Sequence, residues 1–267
     1  MSEVVTKSVE AGVALLTLNR PERLNAWTPE LGSTYFDLLE ECAADPEVRA
    51  IVVTGAGRGF CAGADMQDLQ ALGSGDIDGA ERRADDRLQT FPTTIPKPII
   101  GAVNGPVAGI GLVVALMCDM RFIAEDAKVT TAFARRGLIA EYGMAWILPR
   151  LVGPAATMDL LFSGRVILGA EAAELGLANR AVAADQVLDE ALAYAQELTT
   201  FSSPASMAVM KKQVYADLER GLSAAADVAN ELMLESFQRP DFAEGVESFV
   251  EKREPDFPPI TSERAPA

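Results

Sequence analysis

IVVTGAGRGFCAGADM (51–66) and AVNGPVAGIGLVVALM (102–117) decide the fold. Each is a short apolar run that breaks into a glycine-rich turn and then resumes as a helical segment. The runs AIVVTG (50–55) and PIIGAV (98–103) read as strands buried on both faces. The turns GAGRGFCAGAD and NGPVAGIG that follow them feed helix N-termini. There, unpaired backbone N–H groups and the helix dipole favour negative charge. Two such turns side by side would hold a phosphate or a developing oxyanion. Taken singly, each reads rather as a tight strand–helix turn in which glycine avoids a steric cost; the two together do not. GIGLVV (109–114) lacks the last Gly or Ala of a dinucleotide fingerprint, GAGRGF (55–60) also departs from it, and no GxxxxGK(S/T) is present. A Rossmann site and a P-loop are therefore disfavoured.

Outward from these turns, residues 4–9 and 13–18 flank Gly12 as a hairpin, and Arg20-Pro21 ends its second strand. Thr28 reads as an N-cap with Pro29 at the first helical position. Leu31, Tyr35, Leu38 and Cys42 then mark the buried face of a helix that Asp45-Pro46 stops. GSGDIDG (73–79) reads as a flexible loop, 80–90 as a charged, helix-compatible stretch, and DMRFIA (119–124) as a third strand. Short mixed strands and helices fill 125–183, and 185–252 is nearly all helix. Asp185 is placed to cap 186–199, Pro204 to open a long helix, and Pro240 to break it before a last one; the tail from Pro255 reads as irregular. The recurrence of strand, glycine turn and helix near 50 and 100 predicts one α/β core of stacked turns, 1–195, carrying a helical C-terminal region, 196–267.

Composition removes whole classes of chemistry. At 267 residues and 49% hydrophobic, the chain can bury a sizeable core. Its formal net charge of −16 argues against nucleic-acid partners and anionic membrane surfaces. It contains no histidine, which excludes His-dependent triads, His general bases and His-ligated zinc. Cys42, Cys61 and Cys118 are odd in number and never form a CxxC pair, so no disulfide framework or thiolate metal site is expected. The start MSEVVTKSVEAG lacks the marks of a signal peptide, and no apolar stretch reaches the ~18 residues of a membrane span. The expectation is a reduced, cytoplasmic protein.

The two turns, with LNRPERLNAW (18–27), CDMRFIAEDAKV (118–129), GLIAEYGMAWILPRLVG (137–153), GRVILGAEAAELGLANRAV (164–182) and FVEKREPDF (249–257), resemble the crotonase, or enoyl-CoA hydratase/isomerase, family over essentially the whole chain. The resemblance implies a spiral of ββα units, with a C-terminal helical region that forms a homotrimer or a dimer of trimers. It implies an acyl-CoA thioester substrate, with coenzyme A as part of that substrate and no separate cofactor. It implies that the thioester carbonyl lies between the main-chain N–H groups of Ala64 and Ile110. Two such donors aimed at an enolate oxygen are each worth ~3 kcal/mol in the transition state. Arg23 and Lys252 correspond to residues that meet CoA, the latter often from a neighbouring subunit; each reads as a phosphate contact or, alternatively, as an ordinary solvated surface charge. Ala26, Ala62, Asp65, Met66, Gly109 and Tyr142 fall at substrate- or CoA-binding positions.

The chain departs from the family where hydratases carry two glutamates. Those positions hold Val113, three residues past Ile110, and Phe133, fourteen past Asp119. Glu141 stands out instead as the one charge in the apolar run LIAEYGMAW, where desolvation would raise its pKa as a general base requires. Family isomerases and some divergent members resemble this chain in carrying a lone Asp or Glu at the matching place, just before the helix that leads to LPRLVG. Glu141 reads as that base, with a dipole-stabilised acid at a helix N-terminus as the alternative. The expected reaction is enoyl-CoA double-bond isomerisation. Hydration by Glu141 alone and a non-catalytic acyl-CoA binder are the alternatives. Asp65 reads as a helix cap. Tyr142 and Trp146 read as acyl-pocket lining or as core, Lys211-Lys212 as a solvated helix face, and Cys61 as a packing residue; Asp119 has no assigned chemistry.

Overall fold

The computed structural model describes residues 3–73 and 85–260. The loop expected at 73–79, beyond its first residue, and residues 80–84 of the charged stretch 80–90 lie outside them; residues 85–90 carry a bend and a turn rather than helix. Strands β1 (Val5–Glu10) and β2 (Val13–Leu18) make the expected antiparallel hairpin, reversing at Ala11 and Gly12 with φ of 48° and 81°. β3 (Ala50–Gly55), β4 (Ile99–Val103), β6 (Met120–Ala124) and β9 (Arg180–Val182) extend it into a six-stranded sheet of order β1-β2-β3-β4-β6-β9, parallel from β2 onward. Every residue of β3 and β4 is buried, as two-sided coverage of a parallel sheet requires.

A second sheet runs β5 (Val107–Ala108), β7 (Lys128–Thr130), β8 (Ile167–Leu168), and Cys61 pairs in parallel with Val107 at its edge. The chain thus visits the large sheet and then the small one on successive turns: β3 then Cys61, β4 then β5, β6 then β7. This is the expected spiral.

Helix α1 (Pro29–Ala44) starts as its sequence dictates, the Thr28 hydroxyl accepting the Leu31 N–H at 3.2 Å. Its C-terminus is closed by Lys97, a buried lysine whose ammonium donates to the carbonyls of Cys42 at 2.7 Å and Asp45 at 2.5 Å. Burial pulls the Lys97 pKa down to about 8. Then come α2 (Met66–Gly73), the wholly buried α3 (Ile110–Leu116), α4 (Met144–Ser163), which breaks at Gly153 with φ 76°, and α5 (Gly169–Glu174). α6 (Val187–Phe201) lays Val187, Ala191, Ala195 and Thr199 along its buried face.

Three expectations are corrected in the C-terminal half. Asp185 does not cap α6: Gln186 occupies the N-cap with no side-chain bond. The long helix is two, α7 (Pro204–Asp217) and α8 (Leu222–Ser236), divided where Gly221 turns extended at ψ 153°; α9 (Pro240–Glu251) follows. Lys211 is not solvated. Its side chain is 9% exposed, and its ammonium donates to Asp119 Oδ2 at 2.8 Å and to the carbonyls of Pro92 and Lys97 at 3.1 and 3.3 Å. Asp119 Oδ2 also accepts the Ile99 N–H at 2.8 Å, so this pair fastens α7 to the edge of β4. Lys212 is exposed, as expected.

α8 buries no residue, and Met210, Val214, Leu222, Leu234, Phe249 and Val250 on α7 to α9 are all exposed. No described helix is long and apolar enough to cross a membrane.

Candidate active site

The two glycine turns are packed edge to edge. The Cys61 N–H donates to Pro106 O at 3.3 Å, and the Ala108 N–H to Cys61 O at 3.1 Å. The approach is close enough to require glycine. A Cβ on Gly105 would lie 2.2 Å from Arg58 O, and one on Gly111 would lie 2.2 Å from Cys61 O. Two asparagines that sequence reasoning passed over staple the assembly. The Asn104 amide donates to Gly55 O at 2.9 Å and Gly57 O at 3.0 Å, joining the second turn to the first. Asn25, fully buried at φ 55°, donates to Ala56 O at 3.0 Å and Gly59 O at 2.8 Å. Their usable signal was Asn beside glycine turns and at a position needing left-handed backbone.

Ala64 sits between two bonds to Trp27. The Trp27 N–H donates to Gly63 O at 2.8 Å, and the Asp65 N–H to Trp27 O at 3.0 Å. Ile110 opens α3 behind Gly109, whose φ is 51°, so its amide has no intrahelical acceptor. Among the described residues, neither the Ala64 nor the Ile110 N–H donates a hydrogen bond. They stand on adjoining turns, a Cβ on Gly63 falling 3.1 Å from Ala108 O. Two such donors beside a buried, apolar helix can stabilise a charged oxygen without reorganisation.

Glu141 lies in the turn before α4. Gly143 holds the N-cap with no side-chain bond, and Glu141 supplies only its carbonyl, to Met144 N–H at 2.9 Å. Its carboxylate has no hydrogen-bond or ion-pair partner among the described residues, and desolvation raises its pKa. The segment 133–143 brackets α3. A Cβ on Gly109, at one end, would lie 4.0 Å from the Phe133 ring; a Cβ on Gly143, at the other, would lie 3.8 Å from Met117 Cε. Val113 and Phe133 are both buried, so the places of the two missing glutamates are apolar.

Asp65 caps α2, its Oδ1 accepting the Gln67 N–H at 3.1 Å while Oδ2 pairs with Arg20 at 3.0 Å. The backbone bond first, and Arg20 after it, hold its carboxyl below the usual range. Met66 is exposed at the start of α2. Ala62 and Ala26 are half-buried beside the first turn, the Ala62 N–H donating to Leu24 O at 3.0 Å and the Ala26 N–H to Arg23 O at 3.1 Å. Arg23 is exposed on the 3-10 turn Pro21–Arg23, and Tyr142 is exposed beside Glu141 at φ 54°. The Trp146 ring lies 4.0 Å under the Arg150 guanidinium. Lys252 caps α9 at φ 57°, outside the network that joins the turns. Cys61 is buried, and burial pushes its thiol up to about 11, which suits packing and not attack. A groove of about 380 Å³ lined by Gly12, Arg49, Gln196 and Thr199 contains none of these residues.

The same arrangement of sheets and turns recurs in solved structures. An enoyl-CoA hydratase from Polaromonas sp. JS666 matches with a TM-score of 0.85 at 30% identity, over 95% of this chain and 99% of its own. An enoyl-CoA hydratase from Mycobacterium marinum matches with a TM-score of 0.70 at 46% identity, over 82% of this chain and 100% of its own. The fold is the crotonase fold. In sequence, 1,2-epoxyphenylacetyl-CoA isomerase of Escherichia coli (strain K12) is 34% identical over 260 residues, 96% of this chain and 99% of the relative. The enoyl-CoA hydratase/isomerase family profile matches residues 8–259. The chain belongs to the enoyl-CoA hydratase/isomerase family.

Proposed function

We propose that the protein isomerises the double bond of an enoyl-CoA thioester, using Glu141 as its single base. The carboxylate takes a proton from C2 of a 3-enoyl-CoA, and the electron pair moves onto the thioester oxygen. The amides of Ala64 and Ile110 receive that oxyanion. The protonated Glu141 returns the proton at C4, and the double bond comes to rest between C2 and C3. One acid suffices because the proton removed is the proton returned. The observation that carries the reading is Glu141 itself: a desolvated carboxylate without a partner among the described residues, in a site whose two hydratase positions are buried Val113 and Phe133. In the same reading Ala26, Ala62, Asp65, Met66, Gly109 and Tyr142 line the thioester and CoA path, and Arg23 and Lys252 meet its phosphates. Hydration with Glu141 alone is the second reading, favoured by the hydratase names of the solved relatives.

The test is the absorbance of the conjugated thioester. A 3-enoyl-CoA should gain it rapidly, while crotonyl-CoA should lose it far more slowly. Crotonyl-CoA hydration at an ordinary enzyme rate of ~1–10³ per second, with isomerisation slower, would overturn the preference.

The exposed apolar side chains of the helical region 196–267 support a homo-oligomer, a trimer or a dimer of trimers, in which copies of the chain cover α8 and α9. Sedimentation should give three or six times the chain mass; a monomer would contradict this.

A further inference from the structure

A cation stands at the far end of a hydrogen-bond chain that ends on the Ala64 amide. Arg20, at the close of β2, directs its Nη1 at Ala26 O, 2.5 Å away. That carbonyl belongs to the peptide unit whose other end is the Trp27 N–H, which donates to Gly63 O at 2.8 Å. Gly63 O in turn belongs to the peptide unit whose other end is the Ala64 N–H. In a trans peptide C=O and N–H point in opposite directions, so the order is guanidinium, Ala26–Trp27 peptide, Gly63–Ala64 peptide. The last N–H in the line has no acceptor among the described residues. Each bond in such a line polarises the next, by some 10–30% per bond.

Arg20 is itself held for this purpose. Its backbone N–H donates to Asn25 Oδ1 at 2.8 Å, and its Nη2 to Asp65 Oδ2 at 3.0 Å. The Asp65 side chain is 8% exposed and that of Arg20 is 20% exposed, so solvent screens the pair only in part. The carboxylate offsets some of the charge, but it also fixes which guanidinium nitrogen faces Ala26.

We propose that Arg20 is a positioning residue for the reaction, aligning and polarising the Ala64 N–H toward the thioester oxygen through two intervening peptide units. The inference rests on the oxyanion reading above. Arg20 touches neither the substrate nor the reacting atoms.

The test reads the bound carbonyl directly. Butyryl-CoA carrying a ¹³C carbonyl is inert, and its C=O stretch moves to lower frequency when strong donors polarise it. Difference infrared spectra are recorded with wild type and with Arg20→Gln, which keeps a donor but removes the charge. The expected result is a downshift in wild type that is clearly smaller in Arg20→Gln. Turnover should fall ~3–10-fold with KM within about threefold, since loss of a whole donor costs ~10²–10³-fold. Arg20→Lys, which retains the charge, should recover most of the downshift.

An undiminished downshift in folded Arg20→Gln would overturn the inference and leave the oxyanion reading intact. No downshift in wild type would overturn both. If Arg20→Gln fails to fold, Arg20→Met carries the test: a reduced downshift in the folded variant supports the inference, and an undiminished one overturns it.

Discussion

Replacing Gly111 by Ala drives a methyl group into the place where the two turns meet. The added Cβ would lie 2.2 Å from Cys61 O and 2.8 Å from Cys61 Sγ. An ordinary C···O approach is ~3.3 Å, so one partner must retreat by about 1 Å. Cys61 is held from both sides by Pro106 O and the Ala108 N–H, and α3 is buried along its whole length. The displacement therefore falls on the N-terminal turn of α3, which carries the Ile110 amide. Overpacking of this kind costs ~1–3 kcal/mol, or roughly 2–10 °C in Tm. A 1 Å misplacement of a catalytic donor costs up to ~10²-fold in rate. The assay is isomerisation of a 3-enoyl-CoA by the folded variant, beside a calorimetric Kd for a saturated acyl-CoA. Turnover should fall by one to two orders of magnitude with Kd within a few-fold. Gly221→Ala is the control: nothing lies within 4 Å of its Cβ and its φ is −75°, so rate and Tm should stay near wild type. A Gly111→Ala enzyme with wild-type turnover would refute the close apposition of the turns.

Removing Lys211 leaves Asp119 buried without its cation, so Lys211→Ala should lose ~3–5 kcal/mol, whereas Lys212→Ala should stay within ~0.5 kcal/mol; equal Tm values for the two would contradict the ion pair. Burial pushes the thiols of Cys42 and Cys61 up to about 11 and that of Cys118 to about 12, so a thiol reagent at pH 8 should label none of them until the chain unfolds; prompt labelling of the native protein would contradict their burial. Desolvation raises the Glu141 pKa on folding, so the favourable contribution of its carboxyl is complete only below the unfolded value of ~4.3 and is lost as pH rises through the higher folded value. Glu141→Gln should accordingly be at least as stable as wild type at pH 7, and a lowered Tm would show that the carboxylate has a stabilising partner.

What the sequence made legible was local. Thr28-Pro29 and Asp45-Pro46 bound α1 because capping oxygens and proline rings act within a few residues. The apolar runs of β3 and β4 announce strands covered on both faces. The family wording around Ala64, Ile110 and Glu141 picked out two amides and one carboxylate, and the structure leaves all three without partners among its described residues. Long-range polar pairing was not legible. Lys211 meets Asp119 across 92 residues and Arg20 meets Asp65 across 45, and a lysine or arginine on an otherwise polar stretch carries no mark of its partner. Lys97 looks like any charged residue before a proline, yet it closes α1 from 55 residues away. The division of α7 from α8 was missed because helical residues continue on both sides of Gly221, and one glycine alone is a weak stop.

In the proposed reaction Glu141 alone moves the proton. That role is tested most directly by the pH dependence of kcat for a 3-enoyl-CoA, measured for wild type and Glu141→Gln. A raised carboxyl pKa means that the base is lost by protonation at a higher pH than an ordinary glutamate, so the wild-type acid limb should lie above ~4.3. In Glu141→Gln, turnover should drop ~10²–10⁴-fold, the limb should vanish, and acyl-CoA binding should be little changed, because the proposed reading holds the thioester by main-chain amides. Wild-type turnover in Glu141→Gln, with the acid limb still present, would contradict the claim.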